Sequence, residues 1–235
     1  MADNAECNIC GGRKFGIKGS RPIARCVKCD SLERTRLLWM YLERMDIQHD
    51  TKILHLAPDR CIFEALSKKV APDAITTADF NPKLYKSFAP DTVDIDLCDL
   101  NHWPSEQYDL IMHCHVLEHT PCNIAYTLFH LNRMLTARGR QMFIIPFMAG
   151  KWEESFRDLN DDERTRRYSQ FDHVRSFGRD DADTHLGKLI PLNSKFDAIA
   201  DFGEEALTRA NIPLAMTQGL TTATVIDIGK DDLFA

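Results

Sequence analysis

The stretch Lys52–Asp59, KILHLAPD, sets the reading of the chain. Ile53–Leu56 is a short apolar run of the kind a buried strand needs, and Ala57-Pro58-Asp59 ends it. Ile62–Lys69 follows with helical character. Ala74–Ala78 is a second strand closed by Asp79, Thr92–Ile95 a third closed near Asp96, and Asp109–His113 a fourth. Thr120-Pro121 supplies an N-cap and an N1 proline for a helix to about Leu135, and Gly139 lies just past its end. Gln141–Pro146 is a fifth strand, apolar enough to be central. This alternation predicts an α/β fold with a doubly wound, mostly parallel sheet. A helix around Glu204–Ala210 precedes two late strand candidates, Leu214–Thr217 and Thr222–Ile228. A short turn near Gln218-Gly219 should pair them antiparallel, for a seven-stranded sheet in all.

Composition bounds the remaining possibilities. The chain has 235 residues, 44% of them hydrophobic, enough for one domain with an appendage. A net charge of −6 argues against a general nucleic-acid or membrane binder. The charge is uneven, however. Residues 1–36 carry Arg13, Lys14, Lys18, Arg21, Arg25, Lys28, Arg34 and Arg36 against Asp3, Glu6, Asp30 and Glu33. That segment is either a solvated surface or a basic knob facing an anionic partner. Met1–Glu6 lacks a basic start and an apolar run, and the apolar stretch near Met142–Ala149 is too short to span a bilayer. A cytoplasmic, reducing location is expected, with no membrane partner. Cys61, Cys98, Cys114 and Cys122 are scattered singly, as buried thiols are.

Four more cysteines form two C-x-x-C pairs, Cys7/Cys10 and Cys26/Cys29, separated by fifteen residues. Each pair aims two sulfurs at one centre, and the intervening hairpin returns the chain. Four thiolates close a tetrahedron and leave no open position, which predicts structural zinc, with rubredoxin-like iron as the competitor. Asp30-Ser31-Leu32-Glu33 then resembles a capping box, and Leu38, Tyr41, Leu42 and Met45 recur at helical spacing. The expected organisation is a zinc module at 1–30, a linking helix at 31–49 and an α/β domain at 50–235 with a lid-like insertion at about 151–195.

Ligands of such sheets sit at the carboxyl ends of the strands. Ala57-Pro58-Asp59, Asp79, Asp96 and His113–His119 are collected there. A dinucleotide is disfavoured, because neither G-x-G-x-x-G nor a P-loop is present. S-adenosylmethionine has no phosphate. Its ribose diol and adenine amino group suit carboxylate acceptors, and Asp79 lies about twenty residues past the first loop, where a ribose-binding acid belongs.

From about Lys52 to Pro146 the chain resembles class I S-adenosylmethionine-dependent methyltransferases of the small-molecule-methylase group. The resemblance rests on TADF at 77–80, DIDLCDLNHWPSEQYDLIMHCHVLEH at 94–119 and LNRMLTARGRQMFIIP at 131–146. It implies that Asp79 holds the ribose and that Asp96 and Leu97 hold the adenine. Ala57 and Pro58 would line the methionine end, and His115 would border the transfer site. His55, Phe80 and His113 join the implied cofactor contacts. The four-cysteine segment leading into SLERTRLLW is similar to a subset of bacterial-type members. The departure is HLAPD, where the family usually has an acidic residue and glycines.

If the acceptor must lose a proton, His115, His119 and His173 are the candidate bases. QFDHVRSFGRDD at 170–181 places Asp172, His173 and Arg175 where a lid over the acceptor would be, with Arg175 meeting an anionic group. The leading expectation is methyl transfer to a small-molecule or saccharide-type acceptor. The alternatives are RNA-base methylation guided by the zinc module, and a catalytically silent fold that binds a protein partner.

Overall fold

A computed structural model of the chain describes residues 4–233. The front end is a hairpin of β1 (Phe15–Lys18) and β2 (Arg21–Cys26), followed by α1 (Glu33–Leu42). The α/β body runs β3 (Ile53–Leu56), α2 (Arg60–Leu66), β4 (Ile75–Asp79), β5 (Val93–Asp94), β6 (Tyr108–Cys114), α3 (Ile124–Met134) and β7 (Leu135–Ile144). The insertion contributes β8 (Phe147–Met148), β9 (Glu153–Glu154), α4 (Asp161–Tyr168), β10 (Arg175–Gly178) and α5 (Ala182–His185). The chain ends through α6 (Ala198–Phe202), α7 (Glu204–Arg209) and β11 (Val225–Gly229).

The main sheet has the order β11-β7-β6-β3-β4-β5. All neighbours are parallel except β11, which runs antiparallel to β7. The chain walks outward from β3 to β5, then returns to lay β6 on the other side of β3. That reversal puts the switch point between β3 and β6. Every residue of β3 is buried, as a central strand covered on both faces requires.

Several local expectations change. Leu214–Met216 is a 3-10 turn, in which the Thr217 hydroxyl donates to the Leu214 carbonyl at 2.7 Å. No late hairpin forms, and β11 pairs with β7 alone, so the sheet has six strands among the described residues. Helix α3 starts three residues after Pro121 at Ile124, where Asn123 caps it by accepting the Ala125 N–H at 2.9 Å. Thr120 instead donates to the Leu117 carbonyl. Gly139 lies inside β7, beside the register shift between Tyr108 and Leu110; a Cβ there would stand 2.8 Å from the Tyr108 carbonyl oxygen. Asp30 has a left-handed backbone (φ 62°), so the capping box does not form, and Asp30 and Glu33 pair with Arg25 and Arg21 instead. Cys98 and Cys122 are joined as a disulfide, which corrects the reading of both as lone thiols.

The front end is welded to the body. Residues of α1 share one core with Cys7, Cys26, Cys29 and strands β3, β6 and β7. Arg36, fully buried, donates to the carbonyls of Ser31, Ala24, Ala210 and Asn211. One guanidinium thereby ties the hairpin, α1 and the end of α7 together. In the insertion, β10 pairs with both β8 and β9. Among the described residues no helix is long and apolar enough to cross a membrane.

Candidate functional site

The site forms where β3 and β4 end together. Ala57 takes a left-handed backbone (φ 44°), and its N–H donates to the Ala78 carbonyl at 2.9 Å. This places the first loop beside Asp79. A non-glycine residue in that conformation costs about 1–2 kcal/mol, so the loop makes its turn without glycine at the expense of strain. Asp59 closes the loop; its N–H donates to His55 Nε2 at 3.3 Å. Burial raises the Asp59 carboxyl, and Arg34 partly offsets that.

Asp79 is half-buried at the tip of β4. Its Oδ1 accepts the Asn81 N–H at 2.7 Å and its Oδ2 accepts the Tyr85 hydroxyl at 3.0 Å. Each oxygen keeps a lone pair for a further donor. Phe80 beside it is 77% exposed. Asp96 follows β5, exposed, with Oδ1 accepting the Cys98 N–H at 2.8 Å, and Leu97 is buried next to it. His55 and His113 lie within the strands rather than at their tips. Both are buried, His113 stacks on Phe143 at 4.7 Å, and burial pulls each down to about 3. His55 Nε2 thus supports the first loop, and His113 Nε2 lies 3.3 Å from Gln141 Nε2.

Across the switch point, β6 runs into the HVLEH loop. His115 is also left-handed (φ 56°), and its N–H donates to the Ile144 carbonyl. Its ring Nε2 lies 2.9 Å from the Thr222 carbonyl, and its Nδ1 lies 3.4 Å from Glu118 Oε1. Burial holds His115 near 3 and lifts Glu118 to about 8, although Arg34 and Arg175 oppose the latter. His119 Nδ1 is 3.3 Å from Asp172, and its ring centroid is 4.7 Å from that of His173. The fold therefore gathers His115, His119, Asp172 and His173.

Arg175 does not join them as a ligand group. Fully buried, it donates to the Leu117 and Cys122 carbonyls, the Thr120 hydroxyl and Glu154. Its guanidinium clamps the insertion to the HVLEH loop, and none of it is directed at a substrate anion. Arg34 and Glu118 are the site residues missed by sequence reading. Burial pulls the Arg34 guanidinium down, but Cys114, Asp59 and Glu118 around it outweigh that and raise it. Its signal was present in SLERTRLLW, three residues into a helix expected only to pack.

The four cysteines converge. Cys7 and Cys29 sulfurs are 3.6 Å apart, as are those of Cys10 and Cys26. A tetrahedron with metal–sulfur bonds of about 2.3 Å has edges of about 3.8 Å, so the residues fit a zinc or iron ion. A Cβ on Gly12 would stand 3.0 Å from Cys26 Sγ and 3.2 Å from Cys10 Sγ, so glycine clears the cradle.

No family model and no curated protein matches the chain. Solved structures of similar fold include the YcgJ protein from Bacillus subtilis, 15% identical over 76% of this chain and 79% of that one, with a TM-score of 0.47. A chain of the complex holding the Trm112 methyltransferase activator from Haloferax volcanii is 12% identical over 81% and 87%, with a TM-score of 0.49. An S-adenosylmethionine-dependent methyltransferase from Mesorhizobium loti is 15% identical over 51% and 60%, with a TM-score of 0.38. These are distant likenesses of fold alone.

Proposed function

We propose that the chain is an S-adenosylmethionine-dependent methyltransferase acting on a small-molecule or saccharide-type acceptor. The observation that carries the reading is the half-buried Asp79 carboxylate, held at the β4 tip beside the left-handed Ala57 loop. A diol bridges two carboxylate oxygens well, whereas a pyrophosphate would meet negative charge there and no glycine-rich turn. When bound, the cofactor supplies a methyl group on a sulfonium, a good leaving group. The protein then has mainly to position and to move a proton.

Asp79 holds the ribose hydroxyls. Asp96 accepts from the adenine amino group, with Leu97 behind it and Phe80 covering it. Arg34 and Asp59 offer opposite charges to the amino-acid tail. His115, kept neutral by burial, borders the transfer site, and His119 or His173 takes the proton when the acceptor is a hydroxyl or amine. The boundaries 1–30, 31–49 and 50–235 mark a metal-stabilised front end, a helix and the cofactor domain. The insertion forms a wall over the acceptor side, fixed by Arg175.

RNA guidance by the front end finds little support. Arg13, Arg21 and Arg25 pair with Glu6, Glu33 and Asp30, and Lys28 donates to the Cys10 carbonyl. Glu204 and Glu205 line the groove that Arg13 and Lys14 face. Calorimetric titration with S-adenosylhomocysteine tests the cofactor assignment, with NAD as control. Binding of the first and not the second supports it; NAD binding, or no binding of either, refutes it.

A further inference from the structure

Three imidazoles surround one buried carboxylate in the HVLEH loop, and their hydrogen bonds decide which nitrogens are free. His173 Nδ1 lies 2.9 Å from the Tyr168 carbonyl, so it carries the proton and leaves a lone pair on Nε2. That Nε2 is buried and has no partner. His115 Nε2 faces the Thr222 carbonyl at 2.9 Å, which leaves the lone pair on Nδ1, 3.4 Å from Glu118 Oε1. His119 Nδ1 faces the Asp172 carboxylate at 3.3 Å, leaving Nε2 free. Glu118 is 1% exposed, and neither of its oxygens has a hydrogen-bond partner. Arg34 and Arg175 approach it, but neither donates to it among the described residues.

Of the free ring nitrogens, His115 Nδ1 lies 3.4 Å from Glu118 Oε1. A buried acid with two empty oxygens is costly. A bound cation would take up the carboxyl oxygens and the free ring lone pairs together. One ligand atom each from Glu118, His119 and His173 lies within 4.8 Å of the other two, the spread an ion can draw together. His173 already directs its Nδ1–H at a carbonyl, and His119 Nδ1 lies 3.3 Å from the Asp172 carboxylate, the arrangement that orients metal-binding histidines.

We propose that Glu118, His119 and His173 bind a divalent first-row transition ion distinct from the four-cysteine centre. Imidazole with a single carboxylate suits such ions better than magnesium or calcium, which favour all-oxygen sets. Fewer protein ligands than coordination positions would leave room for an acceptor. Resting on the methyltransferase reading, the acceptor class is then an oxygen donor, such as a vicinal diol or catechol, whose hydroxyl the ion holds and acidifies, which replaces the proton transfer to His119 or His173 when both rings are bound to the ion.

The test is a titration of the zinc-loaded protein with cobalt(II) in the absence of cofactor, so that its outcome is independent of methyl transfer. The expected result is one cobalt equivalent with ligand-field absorption and no sulfur-to-cobalt charge transfer. E118Q and H119Q should each weaken it at least tenfold while near-UV circular dichroism and the zinc content stay unchanged. H119Q alters a half-exposed ring, so it keeps the test usable if E118Q misfolds. Absence of a band, a band with sulfur charge transfer, or binding unchanged in a folded H119Q would overturn the proposal.

Discussion

At the scale of single residues, Asp79 and the buried histidines make opposite demands. Asp79 is built to accept, so Asp79→Asn should weaken S-adenosylhomocysteine binding at least tenfold, about 1.4 kcal/mol, with little change in melting temperature; calorimetry beside thermal denaturation checks both. His55 and His113 are built to stay neutral. Their folded values near 3 lie below the ordinary 6.5, so the unfolded chain takes up protons first as pH falls. Stability is whole above pH 6.5 and declines as pH drops from 6.5 toward 3. Each histidine contributes on the order of 3 kcal/mol to the loss at pH 4. Denaturant titrations across that range should show a shallower decline in His113→Gln. The place of Asp79 at the tip of β4 was legible because it directly ends an apolar run. The burial of His55 and His113 was not, because a strand end and a strand interior differ by one residue in register.

At the scale of elements, the sequence patterns located strands and helices better than their ends. Five parallel strands stand close to where apolar runs and turn residues put them, since burial on both faces leaves a strong signal. The late hairpin failed because Leu214–Met216 has a local alternative: the Thr217 hydroxyl satisfies the Leu214 carbonyl within one turn. Gly139 was misplaced for a related reason. A glycine after a helical stripe signals a stop, yet here it permits close approach at the β6–β7 bulge. Gly139→Ala should therefore destabilise by about 2 kcal/mol, measurable by urea unfolding, where a mere helix terminus would tolerate alanine. Arg175 makes the corresponding point for the insertion. Its arginine-rich, aromatic surroundings read as a recognition loop, but only the third dimension shows four protein acceptors around one guanidinium. Arg175→Met should cost about 3 kcal/mol and raise amide exchange jointly in residues 117–122 and 153–178.

At the scale of the whole molecule, the four-cysteine centre is part of the core rather than an appendage. The spacing of its cysteines made the ligand set readable; its docking was not, because Arg36 reaches carbonyls more than 170 residues away. Metal removal should consequently disturb more than the hairpin. Chelation, or Cys26→Ser, should lower the melting temperature of the entire chain and raise exchange in α1 and α7 together. A two-step melt with α7 still protected would mean an autonomous module. The same weld explains how Arg34, on the helix that leaves the four-cysteine cluster, comes to stand among Asp59, Cys114 and Glu118. The most direct measurement of the account is a crystal structure with S-adenosylhomocysteine. We expect the ribose hydroxyls within hydrogen-bonding distance of Asp79, the adenine between Phe80 and Leu97, and the amino-acid tail between Asp59 and Arg34. A nucleoside bound away from the ends of β3 and β4 would contradict it.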